Sequence, residues 1–158
     1  MKHYGICDIA NDNSDQQVVI SGIRLAVEKA IELSKSYGVK RAIMLPVSAP
    51  FHCKLMNPAQ LIMEEALNLI KFKSPLIPVV SNVTASPEND PIRLKENLIH
   101  QVTGTVRWRE TMNLANKLRV KKIMEIGTGN VLTGIAKRMI FDVETFNFEK
   151  PNDFENLI

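Results

Sequence analysis

Cysteine and histidine are scarce in this chain, and their scarcity is the first constraint on what it does. Only Cys7 and Cys53 stand among 158 residues. They cannot build the disulfide framework of a small secreted scaffold, so a reducing, cytoplasmic setting is the expectation. The three histidines are His3, His52 and His100. With the cysteines they form no Cys-x-x-Cys or His-x-x-x-His pattern, so no metal site is expected. No apolar run approaches the roughly 18 residues of a membrane span. Met1-Lys2-His3-Tyr4-Gly5 lacks the apolar stretch of a signal peptide. Neither sign of charge dominates, with a net of +3. The aromatic interleaving of a single-strand nucleic-acid binder is missing too. So is any Gly-x-Ser-x-Gly, the turn that presents a hydrolase-type serine.

What is present is ordinary for a globular domain. An apolar fraction of 45% and a charged fraction of 23% argue against disorder, and the length suffices for one sizeable core. Tyr4–Ala10 reads as a strand. Asn11-Asp12-Asn13-Ser14-Asp15 reads as a turn, and Gln17–Ser21 as the strand that completes a hairpin. Ile23, Ala26, Val27, Ala30, Ile31 and Leu33 recur at helical spacing up to Gly38. Arg41–Val47 reads as a third strand. Asn57 reads as an N-cap with Pro58 at the first helical position. Val79–Val83 reads as a short buried strand. Asp90-Pro91 opens a further helix with Leu94, Leu98 and Ile99 inward. Trp108–Leu118 and Val131–Met139 read as helices, with Lys122–Ile126 and Asp142–Phe148 as strands beside them. The polar tail from Glu149 is expected to fray. The class is α/β in the broad sense: an α+β unit over residues 1–47, an alternating helix–strand unit over 48–148, and a tail over 149–158.

His52 is the candidate base. It follows an apolar strand and precedes a helix, where ligands bind in α/β sheets, and an imidazole accepts a proton near neutral pH without special tuning. Cys53 could act as a nucleophile beside it. Sequence neighbours rarely face one another, however, and a lone cysteine is more often a small core residue. Gly127-Thr128-Gly129-Asn130-Val131-Leu132-Thr133-Gly134 looks like a phosphate cradle. It fails both glycine-loop templates, because Leu132 replaces the third dinucleotide glycine and Ile135-Ala136 replace the Walker Lys-Ser/Thr. The simpler reading is a tight strand-to-helix turn, with Gly134 letting the helix approach the sheet. Lys117, Arg119, Lys121, Lys122, Lys137 and Arg138 form basic clusters, either a solvated surface or a face for an acidic partner.

Five segments in order carry a resemblance. Residues 11–22, ending Gln17-Val18-Val19-Ile20-Ser21-Gly22, are the first, and Leu45-Pro46-Val47-Ser48-Ala49-Pro50-Phe51-His52 with Leu55-Met56 the second. Pro75-Leu76-Ile77-Pro78-Val79-Val80-Ser81-Asn82-Val83 follows, then Gln101 with Val106-Arg107-Trp108, then Glu125 to Gly134. Together they resemble the malonyl-CoA:acyl carrier protein transacylase family. The resemblance implies that His52 takes the proton of a nucleophilic serine and that the backbone carbonyl of Gln101 orients its imidazole. It gives Asn82 a supporting place near the substrate. It also implies that Phe51 favours malonyl over branched acyl groups, because a bulky ring would crowd an α-methyl group. It implies malonyl-CoA and acyl carrier protein as partners, with the coenzyme A thioester as substrate and no further cofactor.

The departures are informative. The family's Asn-Pro before Val-Arg-Trp is Gly104-Thr105 here, and its Gly-Pro-Gly turn is Gly127-Thr128-Gly129. Its Gly-Gln-Gly-Ser loop, Gly-His-Ser-x-Gly elbow and carboxylate-pairing arginine have no counterpart in the chain. The expected architecture is therefore the second half of a ferredoxin-like small subdomain, followed by the C-terminal part of an α/β-hydrolase-like core. In that arrangement Gln17–Ser21 and Arg41–Val47 would lack a shared central neighbour. Poor solubility, or a separately encoded N-terminal half filling the gap, is the corresponding expectation. The alternative is a non-catalytic remnant that still contacts acyl carrier protein or coenzyme A.

Overall fold

The computed structural model describes residues 4–157; His3 and the first residues of the leader reading lie outside the described residues. The chain folds as mixed helix and strand, consistent with an α/β class. It opens with a hairpin of β1 (Cys7–Ser14) and β2 (Gln17–Gly22), followed by α1 (Arg24–Ser34). α2 (Asn57–Asn68), the short pair β3 (Val79–Val80) and β4 (Pro87–Glu88), and α3 (Pro91–His100) form the middle. α4 (Trp108–Lys117), β5 (Lys122–Ile126), α5 (Val131–Met139) and β6 (Glu144–Phe148) close it. No helix among the described residues is long and apolar enough to cross a membrane.

The hairpin is longer than the turn residues predict. Asn11 to Ser14 continue β1, and only Asp15 and Gln16 make the turn. Long-range partners override the local preference. Val106 N–H donates to the Ala10 carbonyl at 2.8 Å, and Asp12 N–H to the Val106 carbonyl at 2.9 Å. Arg109 grips the Asp12 carboxylate with Nε at 3.0 Å and Nη2 at 2.8 Å. β1 is thereby stitched to the segment before α4. Gly22 is required where β2 ends, because a Cβ there would lie 2.1 Å from the Ile6 carbonyl oxygen.

The C-terminal unit follows its periodicity. β5 and β6 pair in parallel, with Lys122 opposite Glu144 and Ile126 opposite Phe148, and α5 is the crossover between them. Met112, Ala136 and Ile140 form a buried cluster, packed by Trp108, Ala115, Ile123, Met139 and Val143. α4 presents one apolar side to this cluster and its polar side to water.

Several expectations are corrected. Residues 41–47 form no strand: no other strand lies beside them among the described residues, and Ile43, Met44, Leu45 and Val47 stay exposed. Val79–Val83 shortens to two exposed strand residues, because the chain turns at once, with Ala85 N–H donating to the Ser81 carbonyl at 2.9 Å. Asn57 is not the cap of α2. Met56 is, because a 3₁₀ turn over Lys54–Met56 feeds straight into the helix. Leu98 is not inward; Ile99 is. Gly134 makes no close approach to the sheet, since a Cβ there would meet only the Arg138 guanidinium at 3.8 Å. The tail does not fray. Pro151–Leu157 forms a 3₁₀ helix, Asp153 accepts from the Glu149 and Lys150 amides, and Phe154 stacks on Phe148 at 4.7 Å.

Candidate active site

His52 occupies an irregular turn built by its sequence neighbours. Pro46 and Pro50 withhold backbone donors, and Phe51 N–H closes on the Ala49 carbonyl at 3.0 Å. His52 itself sits at φ 56° in the left-handed region. That region costs a non-glycine residue ~1–2 kcal/mol, so surrounding contacts must hold it there. Cys53 supplies one anchor, being fully buried at 0% exposure. The Met56 amide donates to the Cys53 carbonyl at 2.9 Å, closing the 3₁₀ turn. Lys54 N–H donates to Asp8 Oδ2 of β1 at 3.1 Å.

Gln101 follows the last turn of α3. Its amide donates to the Asn97 carbonyl, while its own carbonyl is among those a helix end leaves without an intrahelical partner. His52 Nδ1–H donates to that oxygen at 2.8 Å, across 49 residues of sequence. A carbonyl oxygen only accepts, so the bond selects the Nδ1–H tautomer of the neutral ring and leaves Nε2 with its lone pair. Among the described residues no hydroxyl or thiol hydrogen-bonds Nε2. α3 is placed by its own signals: Asp90 Oδ1 accepts from Ile92 N–H at 2.9 Å, and Pro91 opens the first turn.

Asn82 and Gln101 share a mainly apolar cavity of about 320 Å³ walled by Phe72, Val80, Leu94 and Leu98. His52 and Phe51 are not in that wall, and Phe51 is half-exposed beside His52. Asn82 is held by its backbone, its carbonyl accepting from Arg107 N–H at 2.9 Å. The Arg107 guanidinium also reaches the Val83 and Thr84 carbonyls at 3.1 and 3.2 Å and pairs with Glu110. That pairing raises the arginine and holds the Glu110 carboxyl below the usual carboxylate range. Gly104 lets the chain return from Gln101, since a Cβ would lie 2.8 Å from the His100 carbonyl oxygen and 2.9 Å from Val83 Cγ1.

Two other sequence candidates are resolved by their surroundings. Burial pushes the Cys53 thiol up, away from the thiolate a nucleophile needs, and the residue packs as core. The glycine-rich turn holds an anion of its own. Glu125 accepts from Leu132 N–H at 3.1 Å and Thr133 N–H at 2.7 Å, occupying the α5 N-terminus where a phosphate would bind. Burial works to raise the Glu125 carboxyl, but these amides outweigh it and hold it below its ordinary value. Of the basic clusters, Lys121 pairs with Asp142 at 2.7 Å and Lys122 with Glu144 at 3.8 Å. Asp8, Arg107 and Glu125 were not singled out from sequence as functional groups. Asp8 carries no sequence signal, because its target lies 46 residues away.

No family model matches the chain. Relatives and solved structures do. Malonyl CoA-acyl carrier protein transacylase of Synechocystis sp. is 40% identical over 149 residues, 94% of this chain and 50% of the relative. An acyl-carrier-protein-S-malonyltransferase structure from Bartonella henselae superposes with a TM-score of 0.88 and 45% identity, over 96% of this chain and 48% of that one. A malonyl-transacylase solved in complex with its type II PKS acyl-carrier protein superposes with a TM-score of 0.90 and 36% identity, over 98% of this chain and 51% of that one. The fold therefore matches about half of an acyl carrier protein malonyltransferase. The chain belongs to the malonyl CoA-acyl carrier protein transacylase family and matches its C-terminal part, spanning about half the length of the curated relatives it matches.

Proposed function

We propose that this chain carries the proton-accepting half of a malonyl transferase that loads acyl carrier protein from malonyl-CoA in fatty acid synthesis. The observation that carries this reading is the His52 Nδ1–H bond to the Gln101 carbonyl, which leaves Nε2 as a free base. A serine hydroxyl from the family's N-terminal part attacks the thioester carbonyl while its proton passes to Nε2. The carbon–sulfur bond breaks, and the imidazolium returns the proton to the departing coenzyme A thiolate. The malonyl group stays on the serine oxygen until the carrier thiol repeats the sequence in reverse. Phe51 beside His52 would restrict the acyl group, Asn82 would line its approach, and no cofactor is needed. A cytoplasmic setting goes with two free thiols.

By this reading the 158-residue chain alone transfers nothing at a useful rate, because it offers the base neither serine elbow nor oxyanion donors. Missing oxyanion donors alone cost ~10²–10³-fold. Two surfaces support the need for a further half. Parallel sheets are ordinarily covered on both faces, yet Met124 and Ile126 of β5 are 47% and 70% exposed. Residues 41–47 pair with no strand among the described residues and would join a sheet in the completed ferredoxin-like subdomain over 1–47. Residues 48–148 would complete the hydrolase-like core.

The test is to incubate the pure chain with malonyl-CoA and acyl carrier protein, then repeat after adding the N-terminal half of a relative. No malonyl mass shift on the carrier is expected alone, and a shift is expected on complementation. Turnover by the chain alone at normal enzyme rates would refute the reading. The second reading, a carrier-binding module without catalysis, is favoured by the absence of a Gly-x-Ser-x-Gly turn. His52→Ala separates the two: it abolishes transfer by the complemented pair and leaves carrier binding intact.

A further inference from the structure

β1 is bonded to the segments that follow both partners of the His52–Gln101 pair. On one side the Asp8 carboxylate receives the Lys54 amide, two residues beyond His52, at 3.1 Å. On the other, the Ile9 carbonyl accepts from Thr105 Oγ1 at 2.6 Å, the Ala10 carbonyl from the Val106 amide, and Val106 returns a bond to Asp12. One strand thus sets the distance between the turn that carries the imidazole and the loop that follows its carbonyl acceptor. The loop side is held by three bonds to β1. The His52 side rests on the Asp8 carboxylate, which meets the Cys53 side chain as well as the Lys54 amide, while His52 itself is in the left-handed region that a histidine leaves readily.

We propose that Asp8 is a positioning residue for His52. By holding the Lys54 amide it keeps the turn closed against β1, and so keeps Nδ1–H on the Gln101 carbonyl and Nε2 deprotonated and free. This rests on reading His52 as the base, but its test needs no transfer activity. A role confined to general stability would lower the melting temperature without changing which ring nitrogen carries the proton.

The experiment is long-range ¹H–¹⁵N NMR of the histidine rings in the full chain, at a pH where the imidazole is neutral. In the native chain His52 Nδ1 should give a pyrrole-type shift and Nε2 a pyridine-type shift. Asp8→Ala should move the two toward each other, as the imidazole reverts to a solvent-averaged mixture. Asp8→Asn, which retains an acceptor oxygen, should restore most of the difference. Lys54→Pro removes the donor instead of the acceptor. It suits the first position of a 3₁₀ turn after an extended Cys53 (φ −137°, ψ 154°), so it should fold and reproduce the Asp8→Ala shift. Asp12→Ala breaks the Arg109 pair on the same strand and should leave the shifts unchanged. Unchanged His52 shifts in Lys54→Pro or in folded Asp8→Ala would overturn the proposal. So would an equal change in Asp12→Ala, which would mark a general loosening of β1.

Discussion

The stretch from Val39 to Val80 is richer in apolar residues than the α4–β5–α5–β6 unit, yet it is the unit that buries them. In the unit, Met112, Ile135, Ala136, Ile140 and Phe148 are buried within a contiguous stretch of chain. In the stretch from Val39 to Val80, Ile43, Val47, Leu69, Leu76 and Ile77 stand exposed, with Leu76 and Ile77 at 103% and 74%. A parallel β–α–β crossover brings its own apolar faces together. Residues 39–80 leave these apolar side chains uncovered among the described residues. Apolar sequence therefore predicts burial only where the fold brings a covering element onto it.

Core truncation should separate the two regions most strongly. Met112→Ala should cost ~2–5 kcal/mol in chemical denaturation, because the cavity it leaves lies between packed helices. Ile77→Ala in the same chain should change stability by no more than ~0.5 kcal/mol. A cost for Ile77 near that of Met112 would erase the contrast. Adding the N-terminal half of a relative should sharpen it, by making the cost of an apolar truncation in residues 39–80 depend on the partner's concentration.

A smaller effect is expected at Asp90, whose carboxylate caps α3 between the regions. Asp90→Ala should cost ~0.5–2 kcal/mol in thermal or urea melts. Because Gln101 lies at the other end of that helix, the His52 ring resonances should broaden with it. The smallest effect is the pH dependence of the C-terminal unit. Glu125 is held below its ordinary carboxylate range by the amides of α5. A carboxyl depressed in the folded state contributes stability that is complete above its unfolded value and is lost as pH falls through the folded one. Glu125→Gln should flatten the acid side of the stability curve, measured by urea midpoints from pH 6 downward, and leave the neutral side's slope unchanged.

The C-terminal unit was the most legible part of the chain. Its helices repeat apolar residues at 3.6-residue spacing, and α4 and α5 fold over nearly the residues so marked. Asp90-Pro91 announced α3 correctly because a cap and its helix are neighbours in sequence. Legibility failed where the deciding partner is remote. Asn11–Ser14 have turn composition, but Val106 and Arg109 pair with them and keep them extended. Arg41–Val47 have strand composition but pair with no strand among the described residues. The strand-to-helix turn after β5 was legible, but not the Glu125 carboxylate that folds back from β5 onto the α5 amides.

By itself the sequence determined the placement of the helices, the hairpin, the resemblance that links five ordered segments, and His52 as the group to watch. All of these depend on residues close together in the chain or on their order. Only the tertiary structure decided how His52 is held. The ring's tautomer depends on a carbonyl 49 residues away, and its turn on a carboxylate of β1. Local propensity carries no term for such contacts, since they form only when β1, α3 and the His52 turn are packed together.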